Sequence, residues 1–586
     1  MRMRARPYLH YAPVPGGVYL SGAGTQFAMR GPEALFKVVD VCVPLLEDGA
    51  TEDDLVAALG SERARPVVRK LTDGLRGHGM LLDLEALTVP EPPREVRERH
   101  PEALAWLESV SDDPYARFER FRDARILLCG PSRVVLPAAR GLARAGNRRL
   151  VLAVSDPDAA APTGQRLGAE VLPPSPGVLV RAAGEAAAVL YHREGDGEAR
   201  EDRLPDWLPA GVPVVAVRTG GPLVLAGPVV RGRTARRVWS ALDVRARRWA
   251  AAEDAAPAAR PTADALAGAL AGQALFEALT EGATPGEAHV LHGAEVAAER
   301  VLVPSPAEPR RPVRALADAA SAAPPDLEEA VRSVTAVTAR WTGLFALLPG
   351  EDLPQMPLAL REAEYRTGRA GRVAAWGRDQ RNATVATTLE ALRGLGAEGP
   401  GVPAAGPTEE RWLLDGALRL LAAGARPPAA PGPVEPEADP ETVRIRRSLA
   451  EYGVESVGVR LLHVPGLDWR LCRVETAGGE PPVLAWGRDG AEAAHAALCT
   501  ALARAQVRHL RGTGAGPAVM DVHTDAVAFA DGPAVALLRE QVTALAAAAG
   551  VRYRGRCHRA DPVLGELPLW YGPVEAHPAD RERADD

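Results

Sequence analysis

The residues that could handle a phosphate come in a phrase used twice. Ala375-Trp376-Gly377-Arg378-Asp379 returns 110 residues later as Ala485-Trp486-Gly487-Arg488-Asp489. Each copy opens a long Ala/Leu-rich helical pattern, so the repeat predicts a pseudo-symmetric domain of two strand–turn–helix halves. A nucleotide with magnesium would require carboxylates on those helices, because magnesium takes hard oxygen ligands. The first helix offers Glu390 with Arg393, an i,i+3 surface or pocket pair rather than a catalytic one. The second offers Gln506 and Arg508. That shortage predicts a scaffold rather than a catalyst. A second candidate is the turn Gly130-Pro131-Ser132-Arg133, where backbone N–H groups could approach phosphates. Pro131 removes one such donor. Asp156 and Asp158 end the next strand and read as capping or turn residues. No nucleophile constellation emerges: the twelve histidines are dispersed, with no HExxH and no GxSxG. Cys129 reads as a core residue, and His78 beside Gly77 and Gly79 as a helix cap.

The elements that must position these residues fill 586 positions, enough for about three or four domains of roughly 150 residues. The net charge of −7 is mild and no lysine/arginine block stands out, which argues against nucleic acid. The five cysteines form no CxxC, so neither a disulfide framework nor a closed zinc site from close pairs is expected. Basic Met1–Arg6 leads into no signal-like apolar run, and no segment reaches the ~20 apolar residues of a membrane span. The expectation is a cytoplasmic protein.

Along the chain, Leu9–Ala12, Val18–Leu20 and Thr25–Arg30 read as short strands separated by glycine turns. Helical patterns follow at Glu33–Leu46, after Thr51 (a capping box with Asp54) and at Ser61–Arg76, then a closing strand at Met80–Leu84. Residues 87–120 read as a charged connector with a short helix at Pro101–Val110. From Arg125 the pattern is strand, turn, helix, strand: a βαβ unit of dinucleotide-fold type. Thr262–Leu279 is a small-residue helix suited to close packing. Pro/Ala-rich 305–330, the Pro-rich break at Ala425–Pro440 and a disordered tail complete the outline.

Three resemblances follow from these residues. The N-terminal module resembles the winged-helix peptide-recognition domain of enzymes that modify ribosomally made peptides. That resemblance implies that a precursor's leader peptide adds a strand to Thr25, Gln26, Phe27, Ala28 and Met29 and lies on the helix carrying Arg65, Val68, Arg69, Thr72 and Arg76. An edge strand with free backbone groups can pair with an extended peptide. Arg63, Arg65, Arg69, Lys70 and Arg76 against only Glu62 and Asp73 would suit an acidic leader. The middle domain resembles the E1/ThiF adenylating fold. Only Gly130 of that fold's glycine loop remains, and Arg236-Arg237-Val238-Trp239 stands where relatives place a zinc-binding cysteine pair. A second pair is missing near Pro304–Glu308. The C-terminal domain resembles the ATP-dependent YcaO fold, through Trp341-Thr342-Gly343-Leu344-Phe345 and the two WGRD phrases. Ala503 stands where its second helix should carry a glutamate.

The predicted architecture is therefore α/β multidomain. It comprises a winged-helix-like α+β module at 1–90, a linker at 91–119, a degenerate Rossmann-like E1/ThiF domain at 120–310, a degenerate YcaO-like domain with internal duplication at 325–578, and a tail at 579–586. The whole resembles the ocin-ThiF-like partner proteins of thiazole and azoline peptide biosynthesis. Such a chain would be no enzyme and would need no cofactor or metal. It would bind the precursor leader and serve a separate YcaO cyclodehydratase, with no nucleic acid or membrane partner and a homodimer left open. Two rivals remain at this point: an ATP-using E1-like or YcaO-like enzyme, and a regulator whose winged helix binds DNA. Overall acidity disfavours the second.

Overall fold

The basic start of the chain is a strand, β1 (Met3–Ala5), hidden from pattern reading by its arginines. It pairs antiparallel with β5 (Leu81–Asp83). The computed structural model describes all residues except 23, 196–203, 252–259, 283, 304–311, 322, 324–325, 349–352, 354, 367–369, 398, 425–439, 477–479, 512–517 and 580–586. The expected cysteine position near Pro304–Glu308, most of the Pro-rich break and nearly all of the tail lie outside the described residues. The chain divides into two units, Met1–Asp243 with Ala255–Val303 and Val244–Asp254 with Pro304–Asp586.

In the first unit, β2 (His10–Val14), β3 (Gly17–Gly22) and β4 (Thr25–Arg30) form an antiparallel sheet in that order. Helices α1 (Ala34–Asp48), α2 (Glu52–Ala58) and α3 (Arg65–Gly77) pack on it through Val18, Leu20, Met29, Val39, Leu55, Val68 and Leu75. The Thr51/Asp54 capping box forms as the sequence required.

The stretch expected as a connector with one short helix holds three, α4 (Arg94–Arg99), α5 (Pro101–Val110), which is the helix expected, and α6 (Pro114–Asp123). Leu104, Leu107, Tyr115, Phe118 and Phe121 are buried in the core of the following sheet. Surface arginines and glutamates on the outer faces of α4 and α6 masked those two helices. The basic N-terminus is tied to the same stretch: Arg4 Nη1 donates to Glu91 at 2.9 Å, and Arg6 Nη1 donates to the carbonyls of Glu108 and Ser111 at 2.7 and 2.6 Å.

The large sheet holds β6 (Arg125–Gly130), β7 (Arg149–Val154), β8 (Glu170–Leu172), β9 (Ala188–Glu194), β10 (Val214–Thr219), β11 (Leu223–Val230), β12 (Glu287–His292) and β13 (Ala297–Leu302). Its order is β13-β12-β11-β10-β9-β6-β7-β8. The five strands from β10 to β8 are parallel, with the order reversing between β6 and β9. The rest are antiparallel. Helices α7 (Ser132–Arg144), α8 (Pro157–Leu167), α9 (Pro176–Gly184), α10 (Gly232–Ala251) and α11 (Pro261–Leu279) accompany it. The small residues of α11 allow close approach to α7, for a Cβ on Gly268 would stand 2.1 Å from the Val134 carbonyl oxygen.

The second unit realises the duplication. β15 (Phe345–Leu347), β16 (Ala359–Tyr365) and β17 (Arg372–Gly377) form an antiparallel run closed by parallel β22 (Ala518–Val519). β19 (Val457–Leu462), β20 (Arg470–Thr476) and β21 (Val483–Gly487) do the same with β23 (Val522–His523). Each WGRD phrase leaves a strand and enters a helix, α13 (Gln380–Leu395) or α16 (Gly490–Arg511). A third such turn, unmarked in the sequence, links β18 (Val402–Gly406) to α14 (Glu409–Gly424). A Cβ on Gly377, Gly487 or Gly406 would stand 2.2, 2.3 or 2.5 Å from the backbone nitrogen six residues on. β18 joins β14 (Val313–Ala315), β24 (Val551–Arg556) and β27 (Trp570–Pro578) in a third sheet. The small pair β25 (Ala560–Asp561) and β26 (Gly565–Glu566), with helices α12 (Leu327–Val337), α15 (Pro440–Glu451), α17 (Asp525–Phe529) and α18 (Gly532–Ala548), completes the unit.

Candidate functional site

Among the described residues β4 has one sheet neighbour, β3, and no strand on its other edge. The N–H of Gly31 bonds the Gly16 carbonyl. Gly17–Arg30 is therefore a non-hydrogen-bonded pair, and by alternation so are Tyr19–Ala28 and Ser21–Gln26. The backbone groups of Gln26, Ala28 and Arg30 point out of the sheet, while those of Phe27 and Met29 bond β3. Side chains alternate the other way. Met29 is buried, Phe27 half-buried, and Gln26 and Ala28 exposed.

Helix α3 lies along this strand, fastened at both ends. Lys70 Nζ donates to the Arg30 carbonyl at 3.0 Å, and Thr25 Oγ1 donates to the His78 carbonyl at 2.7 Å. Between them the Phe27 ring stacks on His78 with centroids 4.2 Å apart. It crosses Gly74, where a Cβ would stand 3.1 Å from the ring. His78 caps α3 as expected, with Nδ1 2.8 Å from the Gly74 carbonyl.

The helix residues expected to meet the peptide fall elsewhere. Arg65 pairs with Asp53 and Glu62 at 2.6 and 2.8 Å, Arg69 with Glu52 at 3.7 Å, and Arg76 with Asp73 at 2.8 Å. Val68 and Thr72 are fully buried, and the Thr72 hydroxyl donates to Glu52 at 2.9 Å. At about 100° per residue, positions 65, 69, 72 and 76 lie nearly opposite 70, 74 and 78. The structure thus brings Thr25, Phe27 and Arg30 together with Lys70, Gly74 and His78. Arg65 and Arg69 instead serve the α2 side, and Arg76 pairs within α3. The signal that could have found Lys70, Gly74 and His78 is their i,i+4 spacing.

At the reversal point of the large sheet, the residues that could approach a phosphate are engaged with protein groups. Gly130 has φ +148°, and a Cβ there would stand 2.4 Å from the His192 Cβ. Arg133 bonds Asp264 and Glu194 at 2.7 and 2.8 Å, and Ser132 Oγ donates to Asp156 at 2.6 Å. Asp156 is the N-cap residue of α8 by position, but its side chain takes Ser132 instead of a helix N–H. Burial pushes the His192 imidazole down to about 4, with Arg133 adding to the effect. In place of the expected cysteine pair, Trp239 is fully buried, and Arg236 donates to the Pro205 carbonyl at 3.3 Å. Cys129 is a core residue whose thiol burial pushes up to about 12.

In the second unit the Glu390–Arg393 pair is not at the surface. Arg393 is buried and meets Asp415, Asp525 and Glu390 at 3.0, 2.9 and 3.2 Å. Arg419 also reaches Asp415, at 3.1 Å. Burial would raise the Asp415 carboxyl, but Arg393 and Arg419 hold it below the usual carboxylate range. Ala503 is fully buried and apolar in its surroundings. Gln506 Nε2 donates to the Met356 carbonyl at 3.2 Å, and Arg508 pairs with Glu480. Beside the cluster, a pocket of about 440 Å³ opens between the two WGRD turns.

No protein-family model and no curated relative matches this sequence. Among solved structures, the chain is similar to a heterocyclase in complex with substrate and cofactor. The TM-score is 0.52 at 13% identity, over 98% of this chain and 94% of that one. E. coli MccB, solved with MccA, gives a TM-score of 0.36 at 11% identity over 51% of this chain and 96% of its own. The same protein with ATP gives 0.37 at 10% identity, again over 51% and 96%. The likeness to the heterocyclase spans nearly all of both chains. The class defined here is thus that of mixed α/β multidomain proteins sharing that heterocyclase's fold. Among the described residues, no helix is long and apolar enough to cross a membrane.

Proposed function

We propose that this chain is a non-catalytic partner in the modification of a ribosomally made peptide. It binds the precursor's leader by strand addition to β4 and presents the precursor to a separate YcaO cyclodehydratase. The observation that carries the reading is the open edge of β4 beside α3, with the N–H and C=O of Gln26 and Ala28 directed outward. An added strand gains main-chain hydrogen bonds there, and alternate side chains meet α3. Holding the leader raises the effective concentration of the attached core peptide at the partner enzyme.

The absence of catalysis is supported by how the phosphate-type residues are engaged. Gly130 makes room for His192, Arg133 is spent on Asp264 and Glu194, and Arg393 is spent on buried carboxylates. The fold shared with a heterocyclase suits a chain that retains shape and surface for docking an active relative. The test is reconstitution with precursor, ATP and the cyclodehydratase, omitting each protein in turn. Cyclisation should collapse without this chain, and this chain alone should neither form azolines nor hydrolyse ATP.

One observation favours the rival reading of an ATP-using enzyme. The pocket between the WGRD turns carries Arg378, Arg488 and the Trp376 ring. ATP turnover by the purified chain alone would establish that reading instead.

A further inference from the structure

The pocket between the duplicated turns is built around two polar groups that face each other, His523 Nε2 lying 3.7 Å from Asp525 Oδ2, and that each keep one atom without a hydrogen bond. His523 and Asp525 line it at 6% and 4% exposure. His523 Nδ1 and Asp525 Oδ2 are buried with no hydrogen-bond partner. An unsatisfied buried polar atom is costly, so this arrangement favours an occupant that supplies hydrogen bonds. The other Asp525 oxygen is held by Arg393 at 2.9 Å, which keeps the carboxylate in place. The His523 ring stacks on Trp376 at 5.1 Å, and burial pushes its ordinary value down, so it stands neutral.

The rest of the lining sets the charge. Arg488 is spent on Glu492 at 3.0 Å, and Asp531 accepts the Ala534 N–H at 2.8 Å as the cap of α18. Arg378 is exposed and has no hydrogen-bond or ion-pair partner among the described residues. Phe529 is 44% exposed at the same pocket. One free cation therefore remains, with one carboxylate oxygen that makes no hydrogen bond, beside aromatic surface. A triphosphate would meet Glu492, Asp525 and Asp531 with a single unpaired arginine to answer it.

We propose that this pocket binds a compact zwitterion of the α-amino-acid type, free or as a dipeptide, with its ammonium at Asp525 and its carboxylate at Arg378. A volume of about 440 Å³ accepts either. The proposal stands apart from strand addition at β4 and does not depend on it.

The test is calorimetric titration of the full chain with phenylalanine, glycylphenylalanine, phenylalaninamide, N-acetylphenylalanine and magnesium ATP. Phenylalanine or the dipeptide should bind, and whichever is tighter identifies the source. The amide and the N-acetyl compound, each lacking one charge, should bind about tenfold weaker or worse. Arg378→Gln, at an exposed position that leaves the buried cluster intact, should weaken phenylalanine to the level of phenylalaninamide and leave the amide unchanged. The proposal is overturned if neither zwitterion binds, if the blocked compounds bind equally well, if Arg378→Gln has no effect, or if magnesium ATP is the only ligand.

Discussion

The direction of one N–H decides what a proline does at the edge strand. Phe27 spends its N–H on β3, so Phe27→Pro should break the hairpin and cost fold stability. Ala28 points its N–H outward, so Ala28→Pro should leave the fold intact, with an unchanged melting curve, and weaken peptide binding. Loss of one net hydrogen bond predicts a drop of roughly three- to tenfold, measured by titrating labelled leader. Full affinity in a folded Ala28→Pro protein would rule out strand addition. At Arg393 the expected effect is on stability. Arg393→Met leaves Asp525 buried without its cation and Asp415 with Arg419 alone, and should cost about 3–5 kcal/mol in denaturant unfolding. A change under about 1 kcal/mol would mean the cluster is open to water. His192 sets an acid dependence. Its folded value lies near 4, below the unfolded one, so the unfolded chain binds more protons between them. That contribution to stability is complete above roughly pH 6.5 and falls away toward pH 4. His192→Asn should flatten the loss of stability across that window.

Helix α3 separates two charge faces that its composition merges. Reversing Lys70 should weaken leader binding and its salt dependence, because Lys70 sits at the β4 edge. Reversing Arg65 and Arg69 should instead loosen α2, where their partners Asp53 and Glu52 lie. Matched binding curves for the two reversals would place the peptide elsewhere. The sequence made α3 readable as a helix, since Val68, Leu71, Leu75 and the glycine stop are local signals. Which side of it meets β4 is a tertiary fact, and that is where the arginine reading failed. The capping box at Thr51, the β6–α7–β7 unit and the duplicated WGRD turns were readable for the same local reason. β1 was not, being three residues long with arginine at its centre. Helix α5 was readable at Pro101–Val110, whereas α4 and α6 were obscured by charged outer faces, in α6 over Phe118 and Phe121. The third strand–glycine–helix turn escaped because Ala404-Ala405-Gly406-Pro407-Thr408 keeps the glycine and the cap but lacks the tryptophan and arginine that made its siblings conspicuous.

For the molecule as a whole, the fold is similar to that of a heterocyclase, while Arg133 and Arg393 pair with the chain's own carboxylates. No stoichiometric zinc is expected, since Arg236 and the buried Trp239 occupy the place where a cysteine pair was sought. Metal analysis returning one tightly held zinc per chain would show the domain assignment to be wrong. The central claim, that a peptide adds as a strand to β4, is tested most directly by amide hydrogen exchange of the full chain with and without leader-bearing precursor. The Gln26 and Ala28 amides should exchange freely alone and slow sharply when the precursor is added. Those of Phe27 and Met29, already bonded to β3, should change little. Precursor binding that leaves the Gln26 and Ala28 amides exchanging as before would contradict the account.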